Sequence, residues 1–230
     1  RVEAEKLIKE FAESLISFDS QDFAVIKKYS LDIKLTDYEA FSAKPFSQGL
    51  DCEREMKRML EDMEALGIIT RIQDSRHISN AFLVKKNSEE KRKGVNEKIE
   101  YRLIIDLRPL NQKIQWTTDR YSVFGTADLV NKIGLMRGDD RPAMMSTIDI
   151  KNFFFSLRLT ERSKKFVSFR GYGTPTYCFN FCPMGMNISP SSATEVLSNS
   201  LSKQTKQNCI FHVDDIIIIS RDDPVEHTAI

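Results

Sequence analysis

The chain has 230 residues with a formal net charge of +1, from 34 Lys and Arg against 33 Asp and Glu, and 41% of its residues are hydrophobic. That balance suits an ordinary globular protein able to bury a core, as one large domain or two lobes sharing an interface. It offers no apolar run near the ~20 residues that span a bilayer, so no membrane role is expected, and it leaves nucleic-acid binding to local charge patches.

Arg1 to Glu10 is charged and lacks the apolar core of a secretory signal, so an intracellular setting is expected. The first residue is not Met, which suggests a piece of a longer polypeptide. Cys52, Cys178, Cys182 and Cys209 are scattered without a CxxC pair, so they read as reduced thiols, with little support for zinc.

Between Val2 and Phe18, Leu7, Ile8, Phe11, Ala12 and Leu15 recur at helical spacing and predict an amphipathic helix. Residues 29 to 50, with Pro45 and Gly49 as breakers, read as an extended lead-in. Met56, Met59, Leu60, Met63 and Leu66 then share one helical face, with Asp51 placed to cap the start and Gly67 to end the helix. Such a Met stripe is read as core. Ala81 to Lys86 and Glu100 to Asp106 are β-like runs flanking a charged segment, a hairpin with a long tip. Trp116 to Arg141 reads as a connection or a helix. Further β-like runs follow at 144–150, 166–169 and 176–182, then a helix over Ser189 to Leu201, with Ser189 as N-cap and Pro190 in first position. The last signal is a hairpin of Cys209 to Val213 and Ile216 to Ser220 joined at Asp214-Asp215.

Two carboxylates between strands as apolar as Ile-Phe-His-Val and Ile-Ile-Ile-Ile carry the first hint of chemistry. Alone, an Asp-Asp turn is read equally well as a solvated hairpin. A third acid, Asp149, lies in the run Ser-Thr-Ile-Asp-Ile, where a lone Asp inside a strand is disfavoured. If those strands are neighbours, three acids converge and call for a cation, and hard oxygen ligands select Mg²⁺ or Mn²⁺.

Four blocks in order, over roughly residues 65 to 220, resemble the reverse transcriptases of retroviruses and long-terminal-repeat retrotransposons. Phe82 to Lys86 followed by Tyr101 to Asn111 is similar to the fingers motif, and Ile148 to Leu159 to motif A. Pro183 to Pro190 resembles motif B, and Phe211 to Asp215 motif C. The resemblance implies an RNA-directed DNA polymerase, a nucleotidyltransferase adding deoxynucleotides to a primer 3′ end by two-metal phosphoryl transfer. Its partners would be an RNA or DNA template with primer and deoxynucleoside triphosphates, with two Mg²⁺ ions as cofactors and Mn²⁺ as a substitute. Oligomeric state is left open, and the cytoplasm or a virus-like particle is the implied location.

Residue by residue, the resemblance implies Asp149, Asp214 and Asp215 as catalytic metal ligands, with the Ile150 carbonyl as an additional ligand. Lys86 and Arg102 would hold the triphosphate, which suits an ammonium and a guanidinium on a hairpin. From Lys85 to Lys113, nine basic residues face five acidic ones, a local excess of four positive charges. Phe154 would lie under the sugar and clash with a 2′-hydroxyl, Met184 would touch the nucleotide, and Gly185 would let backbone approach it. His212 stands where Tyr is usual, Asn152 where Asp is usual, and Phe153 replaces a small residue, bringing bulk beside the nucleotide pocket. The resemblance also implies an α/β (α+β) fold, a palm with a small antiparallel sheet backed by helices plus a fingers subdomain. Residues 1–50 would be an N-terminal extension, 51–143 mainly fingers and 144–230 mainly palm, cut before thumb, connection and RNase H. One alternative is a catalytically inactive polymerase-like domain that binds nucleic acid or protein; a more distant one, an RNA-templated RNA polymerase, is opposed by Phe154 and the fingers block.

Overall fold

The computed structural model describes residues 26, 29–86, 100–115, 126–137, 143–150, 152–212 and 214–221. The predicted helix over Val2 to Phe18 and the hairpin tip lie outside these residues.

Eleven strands are described, in chain order β1 (Ser30–Leu31), β2 (Phe41–Ser42), β3 (Ile69–Arg71), β4 (His77–Lys85), β5 (Tyr101–Asp106), β6 (Ala143–Asp149), β7 (Arg158–Leu159), β8 (Ser168–Arg170), β9 (Tyr177–Phe179), β10 (Cys209–His212) and β11 (Asp215–Arg221). They form three sheets. The largest runs β2-β4-β8-β9-β3, with β5 paired to β4; a second runs β10-β11-β6; β1 and β7 pair in parallel. With helices over Leu50–Ala65, Thr126–Arg137 and Ser189–Ser200, the fold is mixed α/β, as expected. The largest sheet takes strands from both sides of residue 144.

β4 is the axis of that sheet. His77, Ser79, Ala81 and Leu83 alternate along it and are all buried, the period-two signature of a strand with one face in the core. Its N-terminal part pairs in parallel with β2 and β8, and its C-terminal part pairs with β5 alone. At Leu83 the edge opposite β5 is closed by one side chain. Gln48 Nε2 donates to the Leu83 carbonyl at 2.8 Å, and the Leu83 N–H donates to Gln48 Oε1 at 2.7 Å. A primary amide thus reproduces both bonds of a strand neighbour and covers an otherwise open edge.

The core packs around Phe169, fully buried with Phe179 and Tyr177 rings at 4.9 and 5.9 Å. The Leu50–Ala65 helix contributes Met56 and Leu60 to this core, with Met59 and Met63 packed against it, so the Met stripe is core. Arg58 pairs with Glu55 and Asp62 on the exposed face. The start differs from expectation: the N-cap is Gly49, and Asp51 lies within the first turn, where its charge favours the helix dipole without capping it. Gly67 follows the helix at φ 69°, as predicted. Gly171 has a packing role, because a Cβ there would collide with the Met56 sulfur. The Ser189–Ser200 helix begins one residue early: Ile188 is the N-cap, and the buried Ser189 hydroxyl instead meets Cys182 Sγ at 2.9 Å. Burial pushes the Cys182 thiol up to about 12, so it stays protonated and inert; all four cysteines are free. Among the described residues no helix is long and apolar enough to cross a membrane.

His77 is 5% exposed between the edges of Phe41 and Phe166, with ring centroids at 5.5 and 5.3 Å. Burial, with Lys113 and Arg76 nearby, holds its pKa below the ordinary 6.5. As pH falls through 6.5 the unfolded chain takes a proton that the folded one resists, so this contribution to stability is present above that pH and lost below it. His77→Phe is expected to flatten the acid side of the stability curve by up to about 1.4 kcal/mol per pH unit. Urea melts of both proteins between pH 5 and 8 check this, and parallel curves would refute it.

Candidate active site

The β-branched run Ile216 to Ile219 makes β11 a strand buried between two neighbours, with Ile219 fully buried. β6 pairs with it antiparallel along its whole length, and the register sets Asp149 opposite Asp215. β10 pairs on the other side, with His212 opposite Asp215. Asp214 therefore lies in the turn, while Asp215, predicted as part of the turn, opens the returning strand. The Ile150 N–H donates to the Asp214 carbonyl at 2.9 Å, continuing the ladder past Asp149. Opposed residues of such a pair stand about 4.5–5.5 Å apart at Cα, so backbone register alone gathers Asp149, Ile150, Asp214 and Asp215 at one end of one sheet.

Asp149 is exposed, and Asp214 and Asp215 are half-buried. Among the described residues no three His, Cys, Asp or Glu side chains converge closely enough to hold a metal ion. The acids are thus brought together by backbone register, without their side chains forming such a group. The donors themselves, carboxylate oxygens and a peptide carbonyl, are of the hard kind that suits Mg²⁺ or Mn²⁺.

Motif A continues into a short 3₁₀ helix over Phe153–Ser156, entered through Asn152 at φ 55°. This is the sole left-handed non-glycine among the described residues, and Asn tolerates that conformation well. The three rings separate. Phe153 is 4% exposed in the core, while Phe154 and Phe155 are half-buried against it. The 3₁₀ turn buries Phe153 and Ser156 together and leaves Phe154 and Phe155 more open.

The β4–β5 hairpin sets Val84 opposite Arg102, and the Lys86 N–H donates to the Glu100 carbonyl one step further on. Residues two apart share a strand face, so Lys86 and Arg102 project from the same side, opposite to the face that buries Ala81 and Leu83. Lys86 Nζ sits 3.3 Å from Glu100, with both side chains about half exposed or more. Such pairs contribute about 0–1 kcal/mol and exchange readily for a stronger anion.

In motif B, Pro183 and Met186 are buried and bracket Met184, which is 59% exposed, and Gly185, whose φ of 89° disfavours any side chain. Sequence reasoning gave no role to Asn111, yet it holds this loop: Asn111 Nδ2 donates to the Gly185 carbonyl at 2.9 Å, and the Asn187 N–H donates to Asn111 Oδ1 at 3.0 Å. Gln48 was also missed. Neither has a local signal, since their partners lie 74–76 and 35 residues away. A cleft of about 520 Å³ near Tyr38, His77, Lys165 and Phe166 contains none of the predicted site residues.

The arrangement has known counterparts. Foamy virus protease-reverse transcriptase shares the fold: its native crystal structure matches with TM-score 0.74 and 21% identity, covering 99% of this chain and 27% of that one. Its complex with an RNA/DNA hybrid matches with TM-score 0.75 and 18% identity, over 99% of this chain and 27% of that one. By sequence, the chain is 24% identical over 219 residues to the retrovirus-related Pol polyprotein from transposon 412 of Drosophila melanogaster, across 94% of this chain and 16% of the relative. It is 27% identical over 187 residues to the enzymatic polyprotein of Carnation etched ring virus, across 80% of this chain and 26% of the relative. The chain thus spans about a sixth to a quarter of the length of these relatives. The family model for reverse transcriptase (RNA-dependent DNA polymerase) matches residues 84–230. That span takes in both acid-bearing strands, the hairpin cations and the glycine loop, and the chain belongs to the reverse transcriptase family.

Proposed function

We propose that the chain is the fingers and palm of an RNA-directed DNA polymerase, with 51–143 mainly fingers and 144–230 mainly palm. The observation that carries this reading is the register pairing Asp149 with Asp215, extended by the Ile150 N–H bond to Asp214. Asp149, Asp214, Asp215 and the Ile150 carbonyl would hold two Mg²⁺ ions, which when bound supply activation of the primer 3′-hydroxyl and charge neutralisation at the leaving pyrophosphate. Lys86 and Arg102, on one hairpin face, would orient the triphosphate by charge-assisted hydrogen bonds, Lys86 exchanging Glu100 for phosphate. Phe154 would stand against the sugar and exclude a 2′-hydroxyl, while Met184 and the Gly185 backbone would offer an apolar floor and a close peptide. A primer-template partner is supported by foamy viral relatives whose structures are in complex with RNA/DNA hybrid and with double-stranded DNA.

The test is primer extension with Mg²⁺ on an RNA template, by the chain alone and by a version extended downstream, each beside Asp214→Asn. Deoxynucleotide addition by the parent and none by the variant is expected. Equal extension by both would remove the carboxylates from the chemistry. Template binding without extension by either would leave a binding domain.

A further inference from the structure

The hydrogen bonds of Asn111 join two parts of the site that sequence keeps apart. The strand carrying Arg102 ends at Asp106 and passes through Leu107 into a short helix, Arg108–Asn111. Leu107 and Leu110 are 2% and 0% exposed, so this helix is fixed in the core. Its last residue spends its whole side-chain amide on the motif B loop, the NH₂ on the Gly185 carbonyl and the oxygen on the Asn187 N–H. The Asn111 backbone carbonyl in turn accepts from Asn187 Nδ2 at 3.1 Å. A carbonyl can only accept, so this last bond also fixes which way the Asn187 amide faces.

Between buried Pro183 and buried Met186, the exposed pair Met184-Gly185 has one side-chain restraint among the described hydrogen bonds, and it comes from Asn111. Gly185 at φ 89° has maximal backbone freedom to lose, so an unrestrained loop would sample many orientations of the Met184 side chain and the Gly185 peptide. Asn alone among residues of its size supplies a donor and an acceptor at this reach. Asp lacks the donor, Ala lacks both, and Gln adds a methylene.

We propose that Asn111 is a positioning residue for nucleotide selection, a strut that ties the Arg102 strand to the Met184-Gly185 surface and fixes the slot between them. The proposal rests on the polymerase reading of that surface. Removing the strut leaves the carboxylates and the cations intact, so the nucleotide is held less well while the chemical step, once reached, is little changed.

In steady-state primer extension with Mg²⁺, Asn111→Ala is expected to raise KM for the incoming deoxynucleotide on the order of tenfold, to keep kcat within about threefold, and to increase misincorporation. Asn111→Asp, which restores the acceptor but not the donor, is expected to fall between, and its near-isosteric side chain keeps the test usable if the Ala variant folds poorly. An Asn111→Ala enzyme with parental KM and misincorporation would overturn the proposal. So would a fall in kcat at unchanged KM matched by a lowered melting temperature in both variants, which marks a structural role alone. The parent and Asp214→Asn, run alongside, separate the two levels: no extension by the parent sinks the polymerase reading itself, normal extension by Asp214→Asn removes only the carboxylate assignment, and an active parent beside an inactive Asp214→Asn and a parental Asn111→Ala sinks only the strut.

Discussion

Asp149→Asn is expected to abolish primer extension, lowering the rate on the order of 10³-fold or more, while the protein folds as well as the parent. The two halves of this expectation come from one geometric fact. Asp149 ends β6 directly opposite Asp215, with the Asp214 carbonyl bonded to the next residue, so it stands with the other acids at one end of the sheet and outside the core. Its side chain is exposed, and amide for carboxylate is nearly isosteric. Like charges directly opposite on a sheet are destabilising, so loss of one leaves the melting temperature unchanged or slightly raised in chelator. Addition of Mg²⁺ should reverse that order, because an ion binding only the folded parent stabilises it by mass action and the variant has lost a ligand. Extension assays and melts with and without Mg²⁺ read both arms. Full activity in Asp149→Asn, or identical Mg²⁺ shifts in the two proteins, would contradict the assignment.

Phe154→Ala is expected to admit ribonucleotides, cutting the preference for deoxynucleotides roughly 10- to 100-fold, with extension from deoxynucleotides retained. The neighbouring ring gives the contrast. Phe153 is 4% exposed in the core, and its truncation is expected to cost about 3–5 kcal/mol of stability through the cavity left behind. Phe154 lies one residue further round the 3₁₀ turn, half-buried, with its ring tilted against Phe153 at 6.4 Å, so its removal should cost distinctly less. Competition between the two nucleotide types on one primer-template measures the preference directly. An unchanged ratio would show that another group reads the sugar.

Much of this was legible in the residues, for identifiable reasons. β-branched runs around single acids reported strands with something to neutralise, and the β-like runs Ala81 to Lys86 and Glu100 to Asp106 reported the hairpin of β4 and β5. Errors fell where one residue decides a boundary. The Asp-Asp pair straddles the end of the turn because the antiparallel register with β6 continues through Asp215. Ser189 was read as an N-cap, yet its hydroxyl finds the buried Cys182 sulfur first. The two-residue strands β1 and β2 had no periodicity to detect, since each exists only through pairing with a distant partner, Arg158–Leu159 in one case and His77–Ile78 in the other. Which of three consecutive phenylalanines is buried was not legible in composition, because it depends on the phase of a 3₁₀ turn, which buries Phe153. Asn111 shows the limit most clearly, because a side chain whose role is to bridge some 75 residues of sequence leaves no trace beside it.

The amide of Gln48, clasping both backbone groups of Leu83, makes the hairpin a cantilever with its clamp at Leu83. At its start the strand pairs with β2 and β8; downstream of the clamp, Val84 and Lys85 pair with β5 alone, and Val84, Lys85 and Lys86 are all exposed. Lys86 therefore stands on a free arm of about 10 Å of extended chain. The charge of Lys86 is thus set off from the core residues Ala81 and Leu83 by the clamp, so changing the side chain at position 86 leaves the packing of the sheet beneath it untouched.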